Sequence, residues 1–167
     1  SEKQRQLENP FRFIIPRRLP IEKILLGTDI EMPSESEKTE FREQLIKTHH
    51  LSPDTFIISM LCRIQPWKGV HLLVEALEEL QAKTLNRPIH AFIWGEAFNG
   101  TQYYNELLQT IKQKNLPISL PGHCEKVALA LSNSDALINA SIQPEPFGLS
   151  IIEGMMMGAV PIVPNEG

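Results

Sequence analysis

The sequence predicts an α/β fold built on a doubly wound parallel sheet. Two observations carry the prediction. From about Phe56 onward, short apolar runs alternate with longer segments, as successive βα units do. Within the longer segments the apolar residues recur at helical spacing, so each segment has one face to lay on a sheet. The size agrees, because 167 residues with 42% hydrophobic and 22% charged content suit one globular domain with a sizeable core.

Ahead of Phe56 the pattern is looser. Pro10, Pro16, Pro20 and Pro33 punctuate it beside the basic pair Arg17-Arg18. Residues 1–22 read as an approach segment between domains, and the folded domain is expected over 23–167. Ile24-Leu25-Leu26, ending in Gly27, reads as a strand, and Glu37 to Lys47 as a helix with Phe41, Leu45 and Ile46 inward. Phe56 to Cys62 reads as a buried strand, followed by a helix over Gly69 to Lys83 with Leu72, Leu73, Ala76, Leu77 and Leu80 on one face. Ile89 to Trp94 is the next strand, ending at Gly95, and Tyr103 to Lys114 the next helix, with Leu107, Leu108 and Ile111 inward. Ile118 to Leu120, Ala136 to Asn139 and Val160 to Val163 complete the strands, separated by helices near Lys126 to Leu131 and Leu149 to Met157. The run Met155 to Met157 is read as packing at a helix end rather than as a ligand surface.

Composition removes several functions. A net charge of −4 with interspersed acids and bases gives no basic stripe, so nucleic acid is not an expected partner. Cys62 and Cys124 show neither a disulfide framework nor metal-ligand spacing, which fits a reducing cytoplasm. No apolar stretch is long enough to span a bilayer, and the opening Ser1-Glu2-Lys3-Gln4-Arg5 is unlike a signal peptide. The expected location is the cytoplasm, with any membrane contact peripheral, at its inner face.

Ligands of an open parallel sheet bind beyond the carboxyl ends of its strands, so the residues just after each strand carry the chemistry. After the Phe56 strand come Arg63 and, opening a helix, Lys68-Gly69. Two cations beside a helix N-terminus form a candidate diphosphate cradle, with a pair of solvated surface cations as the competing reading. After Asn139 a loop carries Glu145, Phe147 and Gly148 into a helix that bears Glu153. Carboxylates eight positions apart can address different parts of one extended ligand and accept paired sugar hydroxyls. Glu153 stands among Ile151, Ile152 and Met155, so it needs a partner or a ligand. Gly95-Glu96 and Gly122-His123-Cys124 follow the intervening strands, where small residues admit backbone contact with a base or sugar; His123 is otherwise an ordinary loop histidine. No Ser/His/Asp set, Walker A loop or GxGxxG fingerprint is present.

Cys62-Arg63, then Lys68-Gly69-Val70 and Leu72-Leu73-Val74-Glu75-Ala76, resemble the "GR...KG...L..A" signature of glycosyltransferase family 4. Asp135 to Ser141, Glu145-Pro146-Phe147-Gly148 to Glu153-Gly154-Met155, and Gly158 to Val163 resemble that family's "D....S..E.FG....EAM..G.PV" block. Ser1-Glu2 and Ile24 to Asp29 are similar to its "SE" and "IPNGVD" stretches, so the resemblance covers nearly the whole chain. It implies a Rossmann-like domain, one half of a GT-B fold cut short at its C-terminal end. It also implies a nucleoside-diphosphate-sugar donor such as a UDP or GDP sugar, hexosyl transfer with retention, and no metal or other cofactor. In the family's terms Arg63 and Lys68 would neutralise the departing diphosphate, Glu145 would hold sugar hydroxyls, Phe147, Gly148 and Leu149 would offer backbone N–H groups, and Glu153 would grip the ribose. The carboxylates would then be binders, unlike the acid and base pair of a glycoside hydrolase. A glycan, lipid or small-molecule acceptor would be met by an absent N-terminal domain, leaving this fragment inactive alone.

Departures from the pattern are few. Cys62 replaces Gly, Leu25-Leu26 replace Pro-Asn, Gln143-Pro144 lengthen the approach to Glu145 by one residue, and Gly154 replaces Ala, a small change on a helix. Two other functions share these features: a non-catalytic nucleotide-binding or interaction module, and a GT-B-fold nucleotide-sugar epimerase.

Overall fold

The computed structural model describes residues 24, 27–97, 101–145 and 147–165. The expected approach segment over 1–22 and the body of the expected Ile24-Leu25-Leu26 strand lie outside them; Ile24 itself is exposed and irregular.

Five strands form one parallel sheet: β1 (Phe56–Leu61), β2 (Ile89–Trp94), β3 (Ile118–Gly122), β4 (Ala136–Ile138) and β5 (Val160–Ile162). Their spatial order is β3-β2-β1-β4-β5. Phe56 to Leu61 pair in register with Ile89 to Trp94, and Ile58 and Ser59 of β1 with Ala136 and Leu137 of β4. The chain thus grows outward from β1 through β2 to β3, returns to β1's other side for β4, and leaves a topological switch point between β1 and β4.

The helices are α1 (Glu35–His49), α2 (Val70–Gln81), α3 (Thr101–Gln113), α4 (Val127–Ser132) and α5 (Leu149–Met156). α1 begins earlier than its apolar spacing predicts because Ser34 and Glu37 form a capping box, Ser34 Oγ accepting from the Glu37 N–H and the Glu37 carboxylate from the Ser34 N–H. Strand periodicity then divides the core. Ile58, Met60, Ala91 and Ile93 point to the face covered by α2 and α3. Ile57, Phe92 and Trp94 point to the other, against Leu45 of α1 and Ala130 of α4. Burial on both faces explains why β1 reads as a continuous apolar run.

The predicted inward faces need correction at three residues. Leu72 and Ala76 of α2 are exposed, and the buried stripe is instead Val70, Leu73, Val74 and Leu77. Leu108 of α3 is likewise exposed, beside buried Leu107 and Ile111. In each case two adjacent apolar residues competed for one face, and helical geometry buries only one side. Of Met155 to Met157 only Met157 packs inward, against Leu131, Leu137 and Ala159. Gly154 is more than a small change: a Cβ there would lie 2.4 Å from Leu137 Cδ2, so its absence lets α5 sit close on β4. Among the described residues no helix is long and apolar enough to cross a membrane.

Candidate functional site

At the carboxyl ends of β1 and β4, on the switch point, a cavity of about 200 Å³ is lined by Cys62, Lys68, Asn139, Glu145, Gly148 and Leu149 among others. Two loops build it. The first leaves β1 and winds into a 3-10 turn over Pro66–Lys68, then enters α2 through Gly69 at φ 71°. Gly69 is dictated by its neighbour as well as its φ, because a Cβ would meet the Ala140 carbonyl oxygen at 1.9 Å. The second loop leaves β4, and Asn139 Oδ1 turns it by accepting from the Ser141 N–H at 3.0 Å. The Ile142 N–H donates to the Trp67 carbonyl at 2.9 Å and ties the loops together.

That tie brings two predicted residues into contact. Lys68 Nζ donates to Glu145 Oε2 at 2.5 Å, and Ser141 Oγ donates to the same oxygen at 3.1 Å. Trp67 supports the ammonium from below, its ring centroid 4.2 Å away and its indole N–H donating to Gln65 Oε1. Burial alone would raise the Glu145 carboxyl's pKa, but the hydrogen bond and charge of Lys68, with help from Ser141 and Asn139, hold it below the ordinary range. Burial pushes the neighbouring Cys62 thiol up to about 12, which leaves it uncharged and unreactive.

Gly148, at φ 74°, opens α5 beside this pair, and Leu149 and Ser150 follow it on the cavity wall. The site is thus a helix N-terminus, an ammonium and a carboxylate around one hollow, which suits a ligand with an anionic and a hydroxyl-rich part. The start of α2, expected to supply backbone donors, is partly committed to internal hydrogen bonds. The Lys68 and Gly69 N–H groups close the 3-10 turn, His71 N–H donates to Tyr103 Oη, and Leu72 N–H returns to the Gly69 carbonyl. The helix start that lines the hollow is that of α5, through Gly148, Leu149 and Ser150.

The remaining predicted residues are not among those that line the hollow. Arg63 is exposed in the turn after β1, Phe147 is exposed, and His123 is exposed just beyond β3. Gly95 fills a packing role, since a Cβ there would lie 1.9 Å from the Cys62 carbonyl oxygen. Half-buried Glu153 has the partner its apolar neighbours demand, Thr28, whose Oγ1 donates to Oε1 at 3.1 Å. Thr28, Trp67, Asn139 and Ser141 are contributors the sequence reading assigned no role. Short Asx and Ser/Thr turns at Asn139-x-Ser141 and Thr28-x-Ile30 are the sequence signals for three of them, and Trp67 has none.

A larger hollow of about 640 Å³ lies between α1 and α4. Its wall carries Glu37, Glu40 and Glu125 against Lys126, which disfavours a diphosphate. Chemistry therefore selects the smaller cavity.

Residues 41–167 match the family model of glycosyl transferases, group 1. The fold is similar to that of Anabaena HepE, solved in complex with UDP and glucose, at 28% identity and a TM-score of 0.70 over 81% of this chain and 35% of that one. It is also similar to a glycosyltransferase from Rickettsia africae, at 31% identity and a TM-score of 0.67 over 77% of this chain and 33% of that one. The C-terminal domain of a group 1 glycosyl transferase, LpcC of Francisella tularensis, shares the fold at 22% identity and a TM-score of 0.62, over 79% of this chain and 66% of that domain. The chain spans about a third of the length of HepE and of the Rickettsia protein.

Proposed function

This chain belongs to the glycosyl transferases group 1 family, and we propose that it is the donor-binding half of a retaining family 4 enzyme of the two-domain GT-B type. The donor is a nucleoside-diphosphate hexose. Its diphosphate lies against Lys68 and the N-terminus of α5, with Arg63 at the rim, so that positive charge and backbone dipoles meet the negative charge that develops on the leaving group. Glu145 accepts hydrogen bonds from sugar hydroxyls, the Phe147 to Leu149 backbone donates to the donor, and Glu153, steadied by Thr28, accepts from the ribose. Gly95 and His123 border the base end. The acceptor, a glycan, lipid or small molecule, is held by an N-terminal domain, and transfer proceeds without a metal in the cytoplasm or at its membrane face.

The observation that carries this reading is the meeting of Lys68 and Glu145 beside the α5 N-terminus, at the sheet's switch point. It is supported by HepE having been solved with UDP and with UDP-glucose. Calorimetric titration with UDP, GDP and ADP, without added metal, tests it. One diphosphate is expected to bind, more weakly to Glu153→Ala. No binding by the folded protein would contradict the reading.

A further inference from the structure

The ion pair sets a condition on any anion entering the cavity. The Lys68 and Glu145 side chains are only 14% and 25% exposed, and the ammonium is already neutralised by the carboxylate. An incoming diphosphate must therefore draw Lys68 away from a group of its own charge sign, or share it. Glu145 stays ionised through the neutral range, so the competition persists wherever the protein is at work. Its oxygen Oε2 is held by Lys68 Nζ and Ser141 Oγ, both side chains, so it can change partners without unpairing a strand.

We propose that the Lys68–Glu145 pair makes this cavity discriminate between an intact nucleotide sugar and the bare nucleoside diphosphate. Either ligand's diphosphate claims the ammonium. When a sugar is attached, its hydroxyls donate to the vacated carboxylate and replace what Lys68 supplied. With no sugar, the carboxylate is left beside the diphosphate's negative charge with the neutral side chains of Ser141 and Asn139 in place of a cation, and the complex is weakened. Glu145 is thus a specificity-determining residue, and the same repulsion speeds loss of the diphosphate after transfer. The proposal rests on the donor-site reading above.

Titration of wild type and Glu145→Gln with UDP and with UDP-glucose tests it, circular dichroism confirming the fold. Glutamine keeps the size and the acceptor oxygen but removes the charge. UDP is expected to bind the variant roughly fivefold more tightly, about the effect of one partly buried ion pair. UDP-glucose is expected to gain nothing or to weaken, so the preference for the sugar-bearing ligand shrinks. Should Glu145→Gln fail to fold, Glu145→Ala removes the same charge and must move UDP affinity in the same direction. Wild type binding both ligands, with UDP no tighter to either variant, would overturn this proposal and leave the donor site standing. Wild type binding neither of these, nor GDP, ADP or their glucose sugars, would overturn the donor site and the proposal together.

Discussion

Two carboxylates paired with cations stand at opposite ends of the same sheet, and they are held in different ways. At the amino ends, Asp135 Oδ2 accepts from the Ile57 N–H at 2.7 Å and Oδ1 from Arg87 Nη2 at 2.9 Å. Its own N–H donates to the Ile57 carbonyl and its carbonyl accepts from the Val160 N–H, so this one residue fastens β1, β4 and β5. Arg87 in turn lies over the Phe56 ring, 4.7 Å from its centroid. At the carboxyl ends, Glu145 is gripped by the side chains of Lys68 and Ser141. A carboxylate bonded to main chain cannot move without stranding that N–H, whereas one held by side chains can exchange them for a ligand's hydroxyls. Proximity of opposite charges therefore does not mark a site. Exchangeable partners do.

The largest effect is expected at Asp135. Asp135→Ala strands the Ile57 N–H and is expected to cost about 2–3 kcal/mol of stability in urea denaturation, with nucleotide affinity of the folded fraction intact. An unaltered midpoint would remove the distinction between the two ends. Lys68→Ala is expected to do the reverse, weakening diphosphate binding by about 2 kcal/mol, roughly thirtyfold, with little change in the urea midpoint.

Acid should also separate scaffold from site. His90 on β2 hydrogen-bonds Ser119, which also meets His49 at the end of α1. Burial, then the charge of His49, pushes His90 down from 6.5 to about 4, and burial lowers His49 as well. The unfolded chain thus takes up its proton first. Stability from these histidines is fully present above the ordinary histidine value and is lost as pH falls from there towards about 4. Discounted for His90's partial exposure, the loss between neutral pH and pH 5 is about 1 kcal/mol. Urea midpoints across that range should fall in wild type and flatten in His90→Gln. The smallest effect is expected at Trp67, where Trp67→Leu removes the ring beneath Lys68 and weakens diphosphate binding about threefold, with Trp67→Phe recovering most of it.

The sheet, its strand positions to within a residue or two and the order of helices were legible; the central strands β1, β2 and β4 are largely buried and read as apolar runs, while the edge strands β3 and β5 are more exposed and were marked by their place in the βα alternation. Lys68 and Glu145 were legible as residues following strands, but their contact was not. It depends on the Ile142 to Trp67 main-chain bond and on Gly69 meeting Ala140, which join segments some 70 positions apart. Asp135 was visible in its motif, yet nothing in sequence tells a carboxylate before a strand that binds main chain from one that binds ligand. Leu72, Ala76 and Leu108 misled because periodicity alone does not choose between adjacent apolar residues. Gly154 misled because an alanine-sized difference matters only where Leu137 is already in contact.

The most direct measurement maps amide chemical shifts of the isotope-labelled protein as UDP-glucose is added. Changes are expected to concentrate at Lys68, at Asn139 to Gln143 and at Gly148 to Ser150. Changes confined to the hollow between α1 and α4, at residues such as Phe41 and Val127, with those segments silent, would contradict it.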